Sequence, residues 1–179
     1  MNMKVALISN KRGGKNTFGD IAIQEFGYKE LAFADELKRY ARLLFPDQFK
    51  NNNKPVKLLQ EFGEGMRKID PDIWIKLLAN NFDKLELEYK TFNVVVTDVR
   101  HQNEVDYLRS KGFTIVKIEN NISDIIDRCR ATESDFEPNL LNHVSEQLAK
   151  RDDVADITIH NKGTLEEYQN KVREFLSQN

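Results

Sequence analysis

The chain has 179 residues, of which 40% are hydrophobic and 31% are charged, which is the balance of a folded globular domain rather than a disordered segment. Its net charge of -2 excludes a general electrostatic attraction to a nucleic-acid polymer or a membrane surface. Cys129 is the single cysteine, so an internal disulfide is excluded. With neither a signal-peptide pattern nor a long apolar stretch, the sequence predicts one cytoplasmic domain, residues 1–179.

The first half of the chain alternates strand and helix patterns. A short apolar run, typical of a strand buried on both faces, leads through a glycine loop into an amphipathic helix that ends at Gly27. The predicted elements are a strand at 5–8, a helix at 17–26, a strand at 29–33 and helices at 35–45, 56–66 and 73–87. The polar stretch 47–54, with three consecutive asparagines, predicts a mobile loop.

The second half continues the alternation and begins with the strand pattern that is richest in β-branched residues. The predicted elements are a strand at 92–97, a helix at 103–110, a strand at 113–118, helices at 123–130 and 142–150, a strand at 157–159 and a helix at 164–176. Thr164 and Glu167 have the spacing of a capping box at the start of the last helix. Such alternation predicts an α/β fold with a parallel sheet covered on both faces.

The segment SNKRGGKNT at 9–17 has the features of a phosphate-binding loop, or P-loop. Gly13 and Gly14 allow backbone N–H groups to turn toward phosphates, Lys15 can reach the outer phosphates, and a helix N-terminus follows. Ser9 replaces the usual first glycine. Asn16 replaces the hydroxyl residue that usually ligates Mg²⁺, which suggests that Asn16 contacts the metal through its amide oxygen or through a water molecule. The alternative is a glycine-rich surface turn that contains a lysine by chance.

Asp98 follows the predicted strand at 92–97, and Arg100 comes two residues later. The carboxyl ends of parallel strands border the same ligand crevice, so we expect Asp98 to lie near Lys15 and Mg²⁺. Taken alone, an aspartate after a strand is more often a turn former or helix cap. An arginine beside this crevice is suited to a planar phosphate contact.

Several segments together resemble the bacteriophage-type deoxynucleoside monophosphate kinases, which belong to the P-loop nucleoside monophosphate kinases. The segments are KRGGKNT at 11–17, FADELK at 33–38, LLQEFG at 58–63, MRKIDPDIW at 66–74, VTDVR at 96–100 with Glu104, HVSE at 143–146 and NKGTL at 161–165. The resemblance implies a three-layer P-loop NTPase fold with a central parallel sheet, an acceptor-binding helical region at about 35–90 and a small lid at about 120–142. It also implies Mg²⁺-dependent transfer of the γ-phosphate of ATP to a deoxynucleoside 5′-monophosphate.

Carried over by position, the resemblance implies roles for individual residues. The residues that would bind ATP are Lys11, Arg12, Gly13, Gly14, Lys15, Asn16 and Thr17. The catalytic residues would be Lys15, Asp98, Arg100 and Arg128, and the Mg²⁺ ligands would be Asn16 and Asp98. The acceptor would contact Asp35, Lys38, Arg67 and Trp74.

Some of these roles have ordinary structural alternatives. Asp35 and Lys38 could be a capping acid and an exposed lysine, Arg67 a solvated helix arginine, and Trp74 a core residue. The lid departs from the family pattern because Glu119, Asn120 and Asn121 replace a more basic run.

The sequence is also compatible with two other functions. One is a kinase of another small phosphorylated metabolite, of the phosphomevalonate or dephospho-coenzyme A type. The other is a non-catalytic nucleotide-binding regulatory module, which would need no acceptor site. The predicted partners are ATP and a deoxynucleoside monophosphate, in the host cytoplasm if the protein is phage-encoded. The accepted base and homodimer formation are not determined by the sequence.

Overall fold

The computed structural model describes residues 2–132 and 144–178. The chain divides into two compact units. The sheet unit contains Met1–Glu30 and Thr91–Asn179, and the helical unit contains Leu31–Lys90. Within the described residues, every helix is too short or too polar to cross a bilayer.

A five-stranded sheet organises the sheet unit. Its strands are β1 (Lys4–Ser9), β2 (Lys29–Leu31), β3 (Val94–Val96), β4 (Thr114–Glu119) and β5 (Ile157–His160). Their order in the sheet is β2-β3-β1-β4-β5. β1 pairs in parallel with β3 and β4, and β4 pairs in parallel with β5. Ala6 lies opposite both Val96 and Ile115. The segments that follow β1 and β3 therefore leave the sheet at the same edge.

Helices cover both faces of β1 in the sheet unit. They are α1 (Lys15–Phe26), α5 (Gln102–Ser110), α6 (Ile122–Thr132), α7 (Val144–Gln147) and α8 (Leu165–Gln178). Val5 and Leu7 share a buried cluster with residues of α1 and α8. Ala6 and Ile8 point to the other face and are 0% and 1% exposed. The continuous apolar run of β1 is thus explained by burial on both sides.

The helical unit contains α2 (Phe33–Leu44), α3 (Val56–Ile69) and α4 (Ile73–Glu88). α2 packs against both of the other helices. A Cβ atom at Gly63 would lie 2.7 Å from Leu37 Cδ1, so the glycine lets α3 approach α2 closely. Trp74, Leu78 and Phe82 of α4 are buried, as the helical spacing of these apolar residues requires.

Three segments differ from the sequence prediction. The prediction of a mobile loop at 47–54 is wrong, because Pro46–Asn52 forms a 3₁₀ helix. Proline presets φ for its first turn, and Lys50 Nζ lies 2.6 Å from Asp47 Oδ1. The strand predicted at 92–97 is shorter in the structure, where β3 contains only Val94–Val96. Next to it, the Asn93 side chain accepts a hydrogen bond from the Met3 N–H.

The predicted helix at 142–150 becomes α7 followed by a 3₁₀ segment, Leu148–Lys150, in its described part. The 3₁₀ segment contacts β1, and its Leu148 and Ala149 are buried. Residues 142 and 143 lie outside the described residues, as do residues 133–142 of the predicted lid.

The capping box predicted at the start of the last helix is confirmed. The Glu167 N–H donates to Thr164 Oγ1 at 3.1 Å, and the Thr164 N–H donates to Glu167 Oε2 at 2.8 Å. These bonds satisfy two N–H groups that the first turn of α8 would otherwise leave without a partner.

Candidate active site

The loop between β1 and α1 has the backbone shape of an anion-binding turn. The Gly13 N–H donates to the Asn10 carbonyl at 3.0 Å. Arg12 and Gly14 have positive φ values of 59° and 106°. Gly14 is also the N-cap of α1, so the positive end of a 12-residue helix begins at the loop. This geometry suits a phosphate group.

Both central glycines are required by close contacts. A Cβ atom at Gly13 would lie 2.0 Å from Ser9 Oγ, and one at Gly14 would lie 2.7 Å from Asn161 Nδ2. Ser9 is 3% exposed, and its hydroxyl donates to the Asn10 carbonyl at 3.0 Å. Ser9, which replaces the usual first glycine, therefore lies beneath the loop. Its side chain occupies the space that a side chain at position 13 would need.

Side-chain donors hold the carbonyl groups of the two glycines. Asn120 Nδ2 and Asn161 Nδ2 donate to the Gly13 carbonyl at 2.9 and 3.1 Å. Tyr168 Oη donates to the Gly14 carbonyl at 3.0 Å. In a planar trans peptide the N–H points away from the C=O, so these bonds direct the N–H groups of Gly14 and of the next residue away from the three donors. Side chains from other parts of the sheet unit thus help to set the shape of the loop.

Tyr168 is suited to remain a donor across the physiological pH range. The residue is 2% exposed, and burial raises the pKa of its phenol. Tyr168, Asn120 and Asn161 are not among the site residues predicted from the sequence. A signal for the two asparagines was present, because each directly follows a strand of the sheet.

Arg128 on α6 is brought to the loop through Asn120. Its Nη1 lies 3.0 Å from Asn120 Oδ1 and 3.4 Å from the Arg12 carbonyl. Lys15 is the first residue of α1 and is half-buried. The loop therefore combines backbone N–H groups with the positive charges of these side chains.

A second set of contacts joins the loop to the segment after β3. Glu146 is 5% exposed and accepts the Lys11 N–H at 2.8 Å. Its other oxygen forms an ion pair with Arg100. Glu104, 2% exposed, accepts the Arg100 N–H at 2.7 Å. Arg100 is therefore fixed by one acid at its side chain and by another at its backbone.

The residues predicted to hold Mg²⁺ have suitable chemistry. Mg²⁺ prefers oxygen ligands and is usually held by one or two carboxylates together with substrate phosphates and water. Asp98, half-buried at the edge where β3 ends, and Asn16, exposed in the first turn of α1, both carry oxygen donors. Among the described residues, no group of three or more histidine, cysteine or acidic side chains is arranged to hold a metal ion by itself. The donors thus fit a metal that is shared with a phosphate ligand. The proximity of Asp98 to Lys15 stays a prediction.

The predicted acceptor residues lie in the helical unit. Lys38 Nζ lies 3.6 Å from Asp35 Oδ1 on α2, and Arg67 Nη1 lies 3.4 Å from Glu64 Oε1 on α3. Trp74 is 2% exposed, and its indole N–H donates to the Gly63 carbonyl at 3.3 Å. These contacts favour the alternative that Trp74 is a core residue.

The helical unit also contains a cavity of about 500 Å³. Its lining residues are Lys38, Arg42, Phe49, Asn53, Lys54 and Leu59. The lining carries three positive charges and no acid, and its volume is in the range of small-molecule sites. Lys38 is therefore placed beside a cavity suited to an anion. Arg42 and Lys54 were not predicted, although Arg42 lies one helical turn from Lys38.

Glu119, the last residue of β4, gives a pH-dependent prediction. Hydrogen bonding from Lys162 and, to a lesser extent, from His160 holds the pKa of Glu119 below its usual value of 4.5. Because the pKa is depressed in the folded state, the stabilisation is present above about pH 4.5 and is lost as the pH falls through the folded pKa. We expect Glu119→Gln to lower the free energy of unfolding at pH 7, with the deficit shrinking below pH 4.5. Urea unfolding of the parent and variant across this pH range measures the difference in the free energy of unfolding. A difference that does not change with pH would contradict the lowered pKa of Glu119.

Comparison with known proteins identifies a family whose sequence model matches most of the chain. The family model described as deoxynucleotide monophosphate kinase matches residues 48–172. A protein of Acanthamoeba polyphaga mimivirus, provisionally named a deoxynucleotide monophosphate kinase, is 26% identical over 193 residues. The match covers 94% of this chain and 93% of the viral protein.

Similar solved structures confirm the predicted fold class, a P-loop kinase fold with a parallel sheet and flanking helices. Shikimate kinase from Acinetobacter baumannii has a TM-score of 0.60 at 17% identity, covering 99% of this chain and 93% of that chain. Gluconokinase from Sinorhizobium meliloti has a TM-score of 0.59 at 19% identity, covering 98% and 92%. Dephospho-CoA kinase from Campylobacter jejuni has a TM-score of 0.59 at 14% identity, covering 99% and 97%. At these identities the likeness shows the fold alone.

Proposed function

Because the chain belongs to the deoxynucleotide monophosphate kinase family, we propose that it transfers the γ-phosphate of ATP to a deoxynucleoside 5′-monophosphate. The products are ADP and the deoxynucleoside diphosphate. The observation that carries the proposal is the β1–α1 loop, in which Gly13 and Gly14 are held by side-chain donors at the N-terminus of α1. This loop suits the phosphates of a nucleotide.

ATP is assigned to the sheet unit. Lys15 holds the β- and γ-phosphates, and the charges of Arg100 and Arg128 stabilise the γ-phosphoryl group during transfer. The remaining contacts to the phosphates come from Lys11, Arg12, Gly13, Gly14, Asn16 and Thr17. Asn16 and Asp98 would hold Mg²⁺, which when bound neutralises charge on the β- and γ-phosphate oxygens.

The reaction needs positioning more than covalent help from the protein. An oxygen of the acceptor phosphate forms a bond to the γ-phosphorus while the bond from that phosphorus to the β–γ bridging oxygen breaks. The bonding electrons leave with ADP. Because the acceptor is already a phosphate dianion, no strong general base is needed, and Asp98 acts on the metal and on positioning.

The acceptor is assigned to the helical unit. Lys38 and Arg67 supply positive charge for its phosphate, and Asp35 orients Lys38 through their ion pair. The cationic cavity beside Lys38 supports a bound anion in this unit. Trp74 is left out of the proposed contacts because its ring is buried.

Replacement of Arg67 by alanine tests the acceptor assignment. Loss of a charged hydrogen bond costs about 1.5–3 kcal/mol, so we expect kcat/KM for the acceptor to fall by about 10- to 100-fold, mainly through KM, while KM for ATP changes little. Steady-state kinetics with each substrate varied in turn measures both. Lys57→Ala, at a lysine whose side chain is 90% exposed, is the control. Unchanged acceptor kinetics in Arg67→Ala would remove Arg67 from the site.

A panel of acceptors tests the function itself. ADP release with ATP is compared for dAMP, dCMP, dGMP, dTMP and modified pyrimidine monophosphates, with phosphomevalonate and dephospho-coenzyme A as the rival acceptors. We expect saturable, acceptor-dependent turnover with at least one deoxynucleoside monophosphate. Turnover with a rival acceptor alone would reassign the substrate. Slow ATP hydrolysis that no acceptor stimulates would instead favour a nucleotide-binding regulatory module.

A further inference from the structure

We propose that Glu146 is a positioning residue, which holds Arg100 and the first half of the phosphate loop in the arrangement that binds ATP. The inference rests on the proposed function and deepens it, since it names a residue that acts on the donor site without touching a substrate. Glu146 carries a buried carboxylate that the phosphoryl-transfer chemistry does not itself require.

The Glu146 carboxylate joins two segments that are distant in sequence. Oε2 accepts the Lys11 N–H at 2.8 Å and lies 3.4 Å from Asn10 Nδ2. Oε1 pairs with Arg100 Nη1. The first two donors follow β1 and the third follows β3, which are neighbouring strands of the sheet. One side chain on α7 therefore connects two loops at the edge where a nucleotide is expected.

Burial makes these bonds hard to replace. The Glu146 side chain is 7% exposed, so its carboxylate depends on these protein donors rather than on water. An arginine has a long side chain with many rotamers. Contact with a buried carboxylate selects among the Arg100 rotamers before any ligand arrives, which is the preorganisation that catalysis of phosphoryl transfer needs.

The charge of Glu146 also needs an explanation, because an acid near a phosphate site repels its ligand. The ion pair with Arg100 compensates this charge. A guanidinium carries five N–H donors in a fixed plane, and Nη1 is the atom that meets Glu146. The carboxylate thus sets the orientation of the plane, and Arg100 acts on phosphate in an orientation that Glu146 imposes.

Two substitutions separate the contacts of Glu146. Glu146→Gln keeps an oxygen that can accept the Lys11 N–H but removes the charge that pairs with Arg100. We expect it to lower kcat by about 10-fold or more, the loss that one misplaced charged contact produces, with KM for the acceptor nearly unchanged. Glu146→Ala removes all three contacts, and we expect it also to weaken binding of Mg²⁺-ADP by about 10-fold, measured by calorimetry.

A double-mutant cycle decides whether Glu146 acts through Arg100. If it does, Glu146→Gln lowers kcat in the parent protein but has little further effect in the Arg100→Ala background, because the residue it orients is absent. Equal losses in both backgrounds would overturn the proposal. Thermal unfolding is followed in parallel, and a lowered Tm with unchanged kcat would show a purely structural role and would also overturn it.

Glu166→Gln provides the matched control, since Glu166 is an exposed glutamate of the same unit, on α8. We expect this control to keep parental kcat and Mg²⁺-ADP affinity.

Failure of the proposed function and failure of the role of Glu146 give different results. If the parent protein phosphorylates no deoxynucleoside monophosphate, the proposed function fails. The role of Glu146 is then judged by Mg²⁺-ADP affinity alone, and equal affinity in the parent, Glu146→Ala and Arg100→Ala proteins would overturn it.

Discussion

Lys15→Ala is expected to lower turnover by about 100- to 1,000-fold, the loss typical of removing one group that stabilises transition-state charge, while the fold stays intact. Lys15 is the first residue of α1 and follows the N-cap Gly14, so its ammonium group is at the helix end where the phosphates are assigned. Alanine favours helix as strongly as any residue, so the substitution preserves α1. The rate of ADP release at saturating ATP and acceptor measures the loss.

Lys57→Ala is the control for general effects of removing a lysine. The Lys57 side chain is 90% exposed on α3, and we expect parental turnover from this variant. Thermal unfolding of both variants verifies that they are folded. Turnover near the parental level in a folded Lys15→Ala protein would refute phosphoryl transfer at this loop.

Gly14→Ala is expected to weaken nucleotide binding. Gly14 has φ of 106°, a conformation that costs a residue with a side chain about 1–3 kcal/mol. The added Cβ atom would also lie 2.7 Å from Asn161 Nδ2 and 2.9 Å from Tyr168 Cε1. Because these two residues hold the loop carbonyls, the clash displaces the contacts that shape the anion site. We expect Mg²⁺-ADP affinity to fall by at least about 10-fold, equivalent to 1.4 kcal/mol, in a calorimetric titration.

Gly65→Ala is the matched control for the effect of adding a methyl group to a glycine. Gly65 lies inside α3, and a Cβ atom there would have no other atom within 4 Å. Alanine at such a position raises the free energy of unfolding by about 0.5–1 kcal/mol. We expect Gly65→Ala to be slightly stabilised and to keep its affinity for ADP. If Gly14→Ala binds ADP as tightly as Gly65→Ala, the shape of the loop does not determine binding.

The fold was largely predictable because its signals are local. The apolar run of β1, the glycine that ends α1 and the Thr164 cap each depend on a few neighbouring residues, and the structure confirms them. The polarity of the stretch 47–54 predicts a loop, but Pro46 can start a 3₁₀ turn, and Pro46–Asn52 is a 3₁₀ helix. Composition alone does not distinguish a polar loop from a short exposed helix.

The supports of the candidate site were less predictable because they depend on contacts distant in sequence. Asn161 and Tyr168 reach the loop from 148 and 154 residues away, and Glu146 reaches it from 135 residues away. The sequence identified the loop from its glycines and lysine, but a local pattern does not show which distant side chains satisfy the carbonyl groups. The roles of Asp98, Lys38 and Arg67 stay predictions.

Transfer of labelled phosphate tests the central claim most directly. The protein is incubated with Mg²⁺, ATP labelled at the γ-phosphate and each deoxynucleoside monophosphate in turn, and the products are separated by chromatography. We predict that the label appears in a deoxynucleoside diphosphate in equal amount to the ADP formed, and that Lys15→Ala greatly slows its appearance. Label released only as inorganic phosphate, at a rate that no monophosphate changes, would contradict the proposed function.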